Sequence, residues 1–243
     1  MTAPEYPENR GTAVMRFAAG WYALALGDGL EPGTSAGTQL FDKELVVWRD
    51  ASGASHVWED RCPHRGMRLS FGFVRGNHIA CLYHGWQYDE AGQCRHIPAH
   101  PTLEVPETIK VPTYASVEAA GMIWVRWDGE AAGQPPEDLA AAPVRSLYLD
   151  RAPEAVARLL EAGLAGAFET LSPGTFATTL EGADLFLALQ PYGAERTALH
   201  IARTGGDLPL KDIAVWAEEL RASLETLPAA GLAPAAQQAG AAA

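Results

Sequence analysis

The chain is poor in the residues that would place it in several large classes. Three cysteines among 243 residues are too few, and odd in number, for a disulfide framework. Eighteen basic residues stand against thirty acidic ones, a net charge of −12, so the basic footprint that a nucleic-acid partner needs is missing. That charge is compatible with docking on a basic redox partner, although a solvated acidic surface is the simpler account. The longest uninterrupted apolar run, Phe17 to Leu26, has ten residues, about half of what crosses a bilayer. Arg10 and Arg16 ahead of it imitate a secretion signal. Two acids in residues 1–9 and the pair Trp21-Tyr22 favour a first strand instead. No internal repeat is present, and after Trp127 a single histidine, His200, remains.

Against this sparse background two short segments stand out, Cys62-Pro63-His64-Arg65-Gly66 and Cys81-Leu82-Tyr83-His84-Gly85-Trp86. Each carries one thiol and one imidazole and turns at a glycine, and sixteen residues separate His64 from Cys81. Two thiolates with two imidazoles, supplied as matched pairs, are the donor set of a Rieske [2Fe–2S] centre, in which Cys62 and Cys81 would hold one iron and His64 and His84 the other. Thiolates suit the iron that stays ferric. Neutral imidazoles remove negative charge from its partner, which then accepts an electron more easily. The rival with the same donors is a Cys2His2 zinc site, but zinc modules usually pair like with like.

The stretch from about Trp21 to Asp128 resembles the Rieske domain of the aromatic-ring-hydroxylating and demethylating oxygenase α subunits, of vanillate-demethylase type. The residues that carry the resemblance are the run from Glu59 to Gly66, Leu69-Ser70-Phe71-Gly72, the run from Cys81 to Asp89, Ile97-Pro98 and Gly121-Met122-Ile123-Trp124-Val125. By that resemblance Cys62, His64, Cys81 and His84 are the cluster ligands, and the outer imidazole nitrogens face a neighbouring catalytic site or a redox partner. High-potential relatives add a disulfide between the loops and a Ser that bonds a sulfide. The matching positions here are Met67, Tyr83 and Trp86, which offer neither.

Alternating apolar runs broken by Gly, Asp and Pro predict a mainly β, small antiparallel β-sandwich over residues 14–128. Its strands are Gln39 to Phe41, Leu45 to Arg49, His56 to Trp58, Asn77 to Cys81, Gln87 to Asp89, Thr108 to Val111 and Met122 to Trp127, with a turn at Asp50 to Gly53. Residues 129–143, rich in Gly, Pro and Ala, read as a linker. Residues 144–227 read as a smaller, shortened α+β region resembling the end of an oxygenase catalytic domain. It comprises a helix from Pro153 to Phe168, three strands (Thr175 to Leu180, Asp184 to Gln190, Arg196 to Arg203) and an amphipathic helix from Leu210 to Leu227. That last helix carries the stripe Ile213, Trp216, Leu220, Leu224 and Leu227. Residues 228–243 form a low-complexity tail. Cys94 falls in a turn, His56 and His78 are strand or turn residues, and His96 and His100 bracket Pro98 and so cannot share a helical face to hold a second metal.

A full oxygenase also needs a mononuclear iron held by two His and one carboxylate. The family's Asp-x2-His-x4-His pattern is absent, and one histidine cannot supply it, so mononuclear Fe(II) is not expected. The resulting expectation is a cytoplasmic electron carrier with no membrane partner. It takes single electrons from a flavin or ferredoxin-type reductase and passes them to an oxygenase-type partner, with a trimer implied by the family. The alternative is an oxygenase α subunit acting on a small aromatic or amine. With few hydrogen-bond donors in the loops, the reduced cluster is expected at the low end of the Rieske range, about −150 to 0 mV, which a redox titration of the reconstituted protein checks.

Overall fold

The computed structural model describes residues 19–127, 133–163 and 166–228. Antiparallel strands build four sheets within them. In the first, β1 (Gly20–Leu26) pairs with β11 (Met122–Trp127), which pairs with β10 (Ser116–Ala119). The second has the order β2 (Ser35–Leu40), β3 (Lys43–Arg49), β4 (Ser55–Glu59), β9 (Thr113–Tyr114). The third is a meander of four three-residue strands, β5 (Phe73–Arg75), β6 (His78–Ala80), β7 (Gln87–Asp89) and β8 (Cys94–His96). The fourth comprises β12 (Ala142–Leu149), β13 (Glu169–Ser172), β14 (Thr175–Leu180), β15 (Ala183–Pro191) and β16 (Thr197–Gly205), in the order β12-β16-β15-β14-β13. Helix α1 (Pro153–Glu161) packs against β15, and α2 (Leu210–Thr226) against β12. The protein is thus mainly β, with a small α+β region at its C-terminal side.

The structure corrects the sequence reading at several points. Thr108 to Val111 is not a strand; only an isolated bridge joins Lys110 to Gln93. Pro106 and Pro112 flank the segment and cannot donate to a ladder. The helix from Pro153 ends at Glu161 rather than Phe168, because Gly163 takes a left-handed φ of 67° and its N–H closes on the Leu160 carbonyl at 3.0 Å. Leu164 lies outside the described residues. The last sheet has five strands instead of three. Strand β12 was hidden by Pro143 and by the bulge between Pro143 and Arg145, which breaks its alternation. Strand β13 is exposed along its length and has no apolar signature. Cys94 is buried in β8, not placed in a turn. Residues 14–18, 128–132 and 229–243 of the expected segments lie outside the described residues.

One apolar core runs through both halves of the chain. Leu24, Leu40, Val47 and Ile123 from the first two sheets share it with Leu147, Leu187, Leu199 and Ile201 from the last sheet and with Ile213, Leu220 and Leu224 of α2. A buried polar chain crosses the same seam. The Gln190 amide donates to Thr38 Oγ1 at 2.9 Å and to the Gln39 carbonyl at 2.7 Å. With its N–H groups spent there, Gln190 Oε1 accepts from His200 Nε2–H at 2.9 Å. That fixes the tautomer, so His200 Nδ1 accepts from Ser146 Oγ–H at 2.8 Å. Both ring nitrogens are engaged, and burial pushes the His200 pKa down to about 4.

Replacing Gln190 with Ala is expected to destabilise the fold by about 3 kcal/mol, because it strands buried partners on both sides of the seam. His200 also sets a pH dependence. Its proton is favoured by the unfolded chain, so its contribution is complete above pH 6.5 and is lost as pH falls toward 4, about 3 kcal/mol in all. Denaturant unfolding from pH 7 to 4 should show that slope in the native chain and not in His200→Gln.

Candidate metal centre

The first thiol-imidazole segment lies in the loop between β4 and the third sheet, the second in the loop joining β6 to β7 within that sheet, and both are built on the same turn. Cys62 N–H donates to the Met67 carbonyl at 2.8 Å, and Gly66 N–H returns to the Cys62 carbonyl at 2.8 Å. In the second loop Cys81 N–H donates to the Trp86 carbonyl and Gly85 N–H to the Cys81 carbonyl, each at 2.9 Å. Gly66 and Gly85 have φ of 72° and 69°, a region that side-chain-bearing residues avoid. At Gly85 a Cβ would also stand 3.1 Å from the Pro98 ring that supports the loop. The first loop is closed by Asp60, whose carboxylate accepts from the Ser70 N–H at 2.7 Å and the Ser70 hydroxyl at 2.6 Å.

The loops bring the four expected donors together as pairs. The Cys62 and Cys81 thiols are in hydrogen-bond contact, both buried, in a core with Trp58, Leu69 and Ile79. The His64 and His84 rings lie 4.7 Å apart at 63° nearer the surface, with His84 exposed. Aromatic neighbours fix both rings. Trp86 stacks on His64 at 4.1 Å and 5°, and Tyr83 on His84 at 3.9 Å and 30°.

Opposing influences act on the Cys81 sulfur. Burial pushes the Cys81 thiol up, and the adjacent Cys62 adds to this, while the backbone N–H groups of Tyr83 and His84 donate to the sulfur and favour its anion. Cys81 therefore keeps its proton until a metal takes its place. Burial, followed by the nearby His84 and Arg65, lowers the pKa of His64, so its imidazole is neutral and able to coordinate. The hydroxyl of Tyr88, held protonated by burial and by Cys62 beside it, lies 3.1 Å from Cys62 Sγ. In the sequence Tyr88 stands out only as part of the family resemblance, and its role as a donor is missed there. The signal lay in β7, where Tyr88 points inward between the outward Gln87 and Asp89.

This donor set fits a two-iron group. A zinc ion gathers four donors about one point, and among the described residues no three His, Cys, Asp or Glu side chains do so. Two buried thiols beside two surface imidazoles match a group in which each iron takes one kind of pair. The remaining histidines lie elsewhere: His56 stacks on Trp48 and pairs with Asp50 at 3.0 Å, and His200 is in the seam. Cys94 packs in the same core as Cys62 and Cys81, and burial raises its pKa.

Comparison with known proteins gives a family for the segment that holds both loops. The Rieske [2Fe-2S] domain family matches residues 20–115. The oxidoreductase NdmD of Pseudomonas putida is 38% identical over 117 residues, 48% of this chain and 19% of NdmD. Aminopyrrolnitrin oxygenase PrnD of Pseudomonas fluorescens is 35% identical over 143 residues, 57% of this chain and 39% of PrnD. The chain therefore spans well under half the length of these curated relatives. Among solved structures, NdmA of Pseudomonas putida CBB5 superposes with a TM-score of 0.68 at 19% identity, covering 91% of this chain and 84% of that one. The shared fold thus extends through the last sheet.

Tyr88→Phe removes a donor that favours the more electron-rich sulfur. One hydrogen bond worth about 1 kcal/mol more to the reduced state is about 40 mV for a one-electron couple. The midpoint of this variant should fall by that amount with the visible spectrum intact.

Proposed function

We propose that this chain, which carries over residues 20–115 a Rieske [2Fe–2S] domain homologous to those of Rieske non-haem iron oxygenase α subunits, is a one-electron carrier between a reductase and an oxygenase-type partner. The observation that carries the reading is the pairing of buried Cys62 and Cys81 with surface His64 and His84. We assign these four as the ligands. Once bound, the cluster supplies storage for a single electron. The chain does the rest. Its apolar core keeps water from the thiols, the Tyr83 and His84 N–H groups and the Tyr88 hydroxyl stabilise sulfur charge, and Trp86 holds the His64 ring in place. The exposed His84 makes the imidazole side the point of electron entry and exit.

The carrying unit is assigned to residues 14–128, joined through 129–143 to a supporting region at 144–227. In that region His200 has no nitrogen left for a metal, since Ser146 and Gln190 take both. His200 is therefore assigned to the seam rather than to a metal. A buried, unpaired Cys94 accords with a reducing, cytoplasmic setting. Among the described residues no helix is long and apolar enough to cross a membrane.

One observation favours a second reading, an oxygenase subunit acting on a small aromatic or amine. A cleft of about 800 Å³ beside the last sheet is lined by Phe168, Leu180, Phe186 and Trp216, a size that suits a small substrate. Metal analysis separates the two. The carrier should hold two irons and two acid-labile sulfides per chain, and lose both with its colour in Cys81→Ala. A third, EDTA-removable iron coupled to oxygen uptake would establish the oxygenase instead.

A further inference from the structure

A cavity of about 220 Å³ lies on the seam where the first two sheets meet the last one. Leu24 of β1, Thr38 of β2 and Val47 of β3 line it from one side, and Ser146 and Tyr148 of β12 and His200 of β16 from the other. It shares no lining residue with the cleft beside the last sheet. None of its lining residues is a carboxylate, a lysine or an arginine, in a chain that carries thirty acidic and eighteen basic residues. Burial holds the His200 imidazole neutral and the Tyr148 phenol protonated. A charged ligand would meet no counter-ion there and would lose its hydration.

The hydroxyls that line the cavity are the two ends of the hydrogen-bonded chain across the seam, and the bonds they already make fix what each can still do. Ser146 spends its only proton on His200 Nδ1, at 2.8 Å, so toward the cavity it can only accept. Thr38 Oγ1 accepts from the Gln190 amide at 2.9 Å and makes no further bond among the described residues, so its proton is left to donate. One free donor and one free acceptor among apolar walls are the complement of a single hydroxyl, which takes one bond and gives one. Water fills such a space poorly. The volume is that of roughly seven water molecules, each of which needs about two to four polar partners.

We propose that this seam cavity is a binding site for a small neutral alcohol, a ring or short chain with one hydroxyl, which accepts from Thr38 and donates to Ser146 while its hydrocarbon rests on Leu24 and Val47. The inference is independent of the carrier reading. A cavity walled by both halves of the chain exists only when both are folded and apposed, so its ligand stabilises the seam by mass action.

The test titrates cyclohexanol into the holoprotein by calorimetry and follows the unfolding temperature alongside. Cyclohexanol should bind the native chain and raise its unfolding midpoint, whereas cyclohexanecarboxylate, similar in size but charged, should do neither. Ser146→Ala should weaken cyclohexanol binding about tenfold, through the loss of one hydrogen bond, and Thr38→Ser, which keeps the hydroxyl, should stay within about twofold of native. Ala36→Trp, at an exposed lining position, should abolish binding by filling the mouth. Native cluster absorbance separates a lost ligand from a lost fold, and the native chain with Thr38→Ser decides the matter if Ser146→Ala does not fold. No heat and no shift from cyclohexanol in the native chain, equal binding of the carboxylate, or undiminished binding in a folded Ser146→Ala or Ala36→Trp would overturn the proposal.

Discussion

Everything at the centre depends on separating two kinds of donor by depth. The thiols sit buried in an apolar core, and the imidazoles sit where water reaches them. Burial alone would leave Cys81 as an inert neutral thiol. What makes the thiols usable is a set of N–H and O–H donors aimed at sulfur, from Tyr83, His84 and Tyr88. Both loops reach this arrangement by the same device, a five-residue turn closed at a left-handed glycine. The short meander of β5 to β8 carries the second loop between β6 and β7, and Tyr88 of β7 joins the core that holds both thiols.

Chemistry and surface are joined by that depth order. The side of the centre that meets solvent is the imidazole side, and its exposed aromatic and aliphatic neighbours lie on the second loop. A turn that must expose its second half to let His84 reach the surface also exposes Leu82 and Tyr83, which precede it.

The donor loops were legible in the sequence because two Cys and two His in matched, glycine-closed pairs seldom arise without a metal to hold. The strands that flank them were legible too: Gln87 to Asp89 and Thr175 to Leu180 coincide with β7 and β14, and the helix from Leu210 was set by its buried stripe. What escaped was whatever depends on partners distant in sequence. Strand β12 is held by β16 rather than by its own alternation, and Thr108 to Val111 looked like a strand until its prolines left it without a ladder. Gln190 and His200 each read as ordinary strand residues. Only the fold shows that they form one hydrogen-bonded chain reaching Thr38, 152 residues before Gln190 in the sequence.

The continuous core beneath that chain means that chain boundaries and packing boundaries differ. Leu40 and Val47 share their apolar surroundings with Leu187 and Ile201, so the cluster-bearing part, cut away from the rest, would present a raw hydrophobic face to water. A shared core of this kind couples the unfolding of the two parts. The C-terminal sheet thus serves as a permanently docked lining for the inner face of the first two sheets, while the thiols keep a smaller core of their own with Trp58, Leu69 and Ile79.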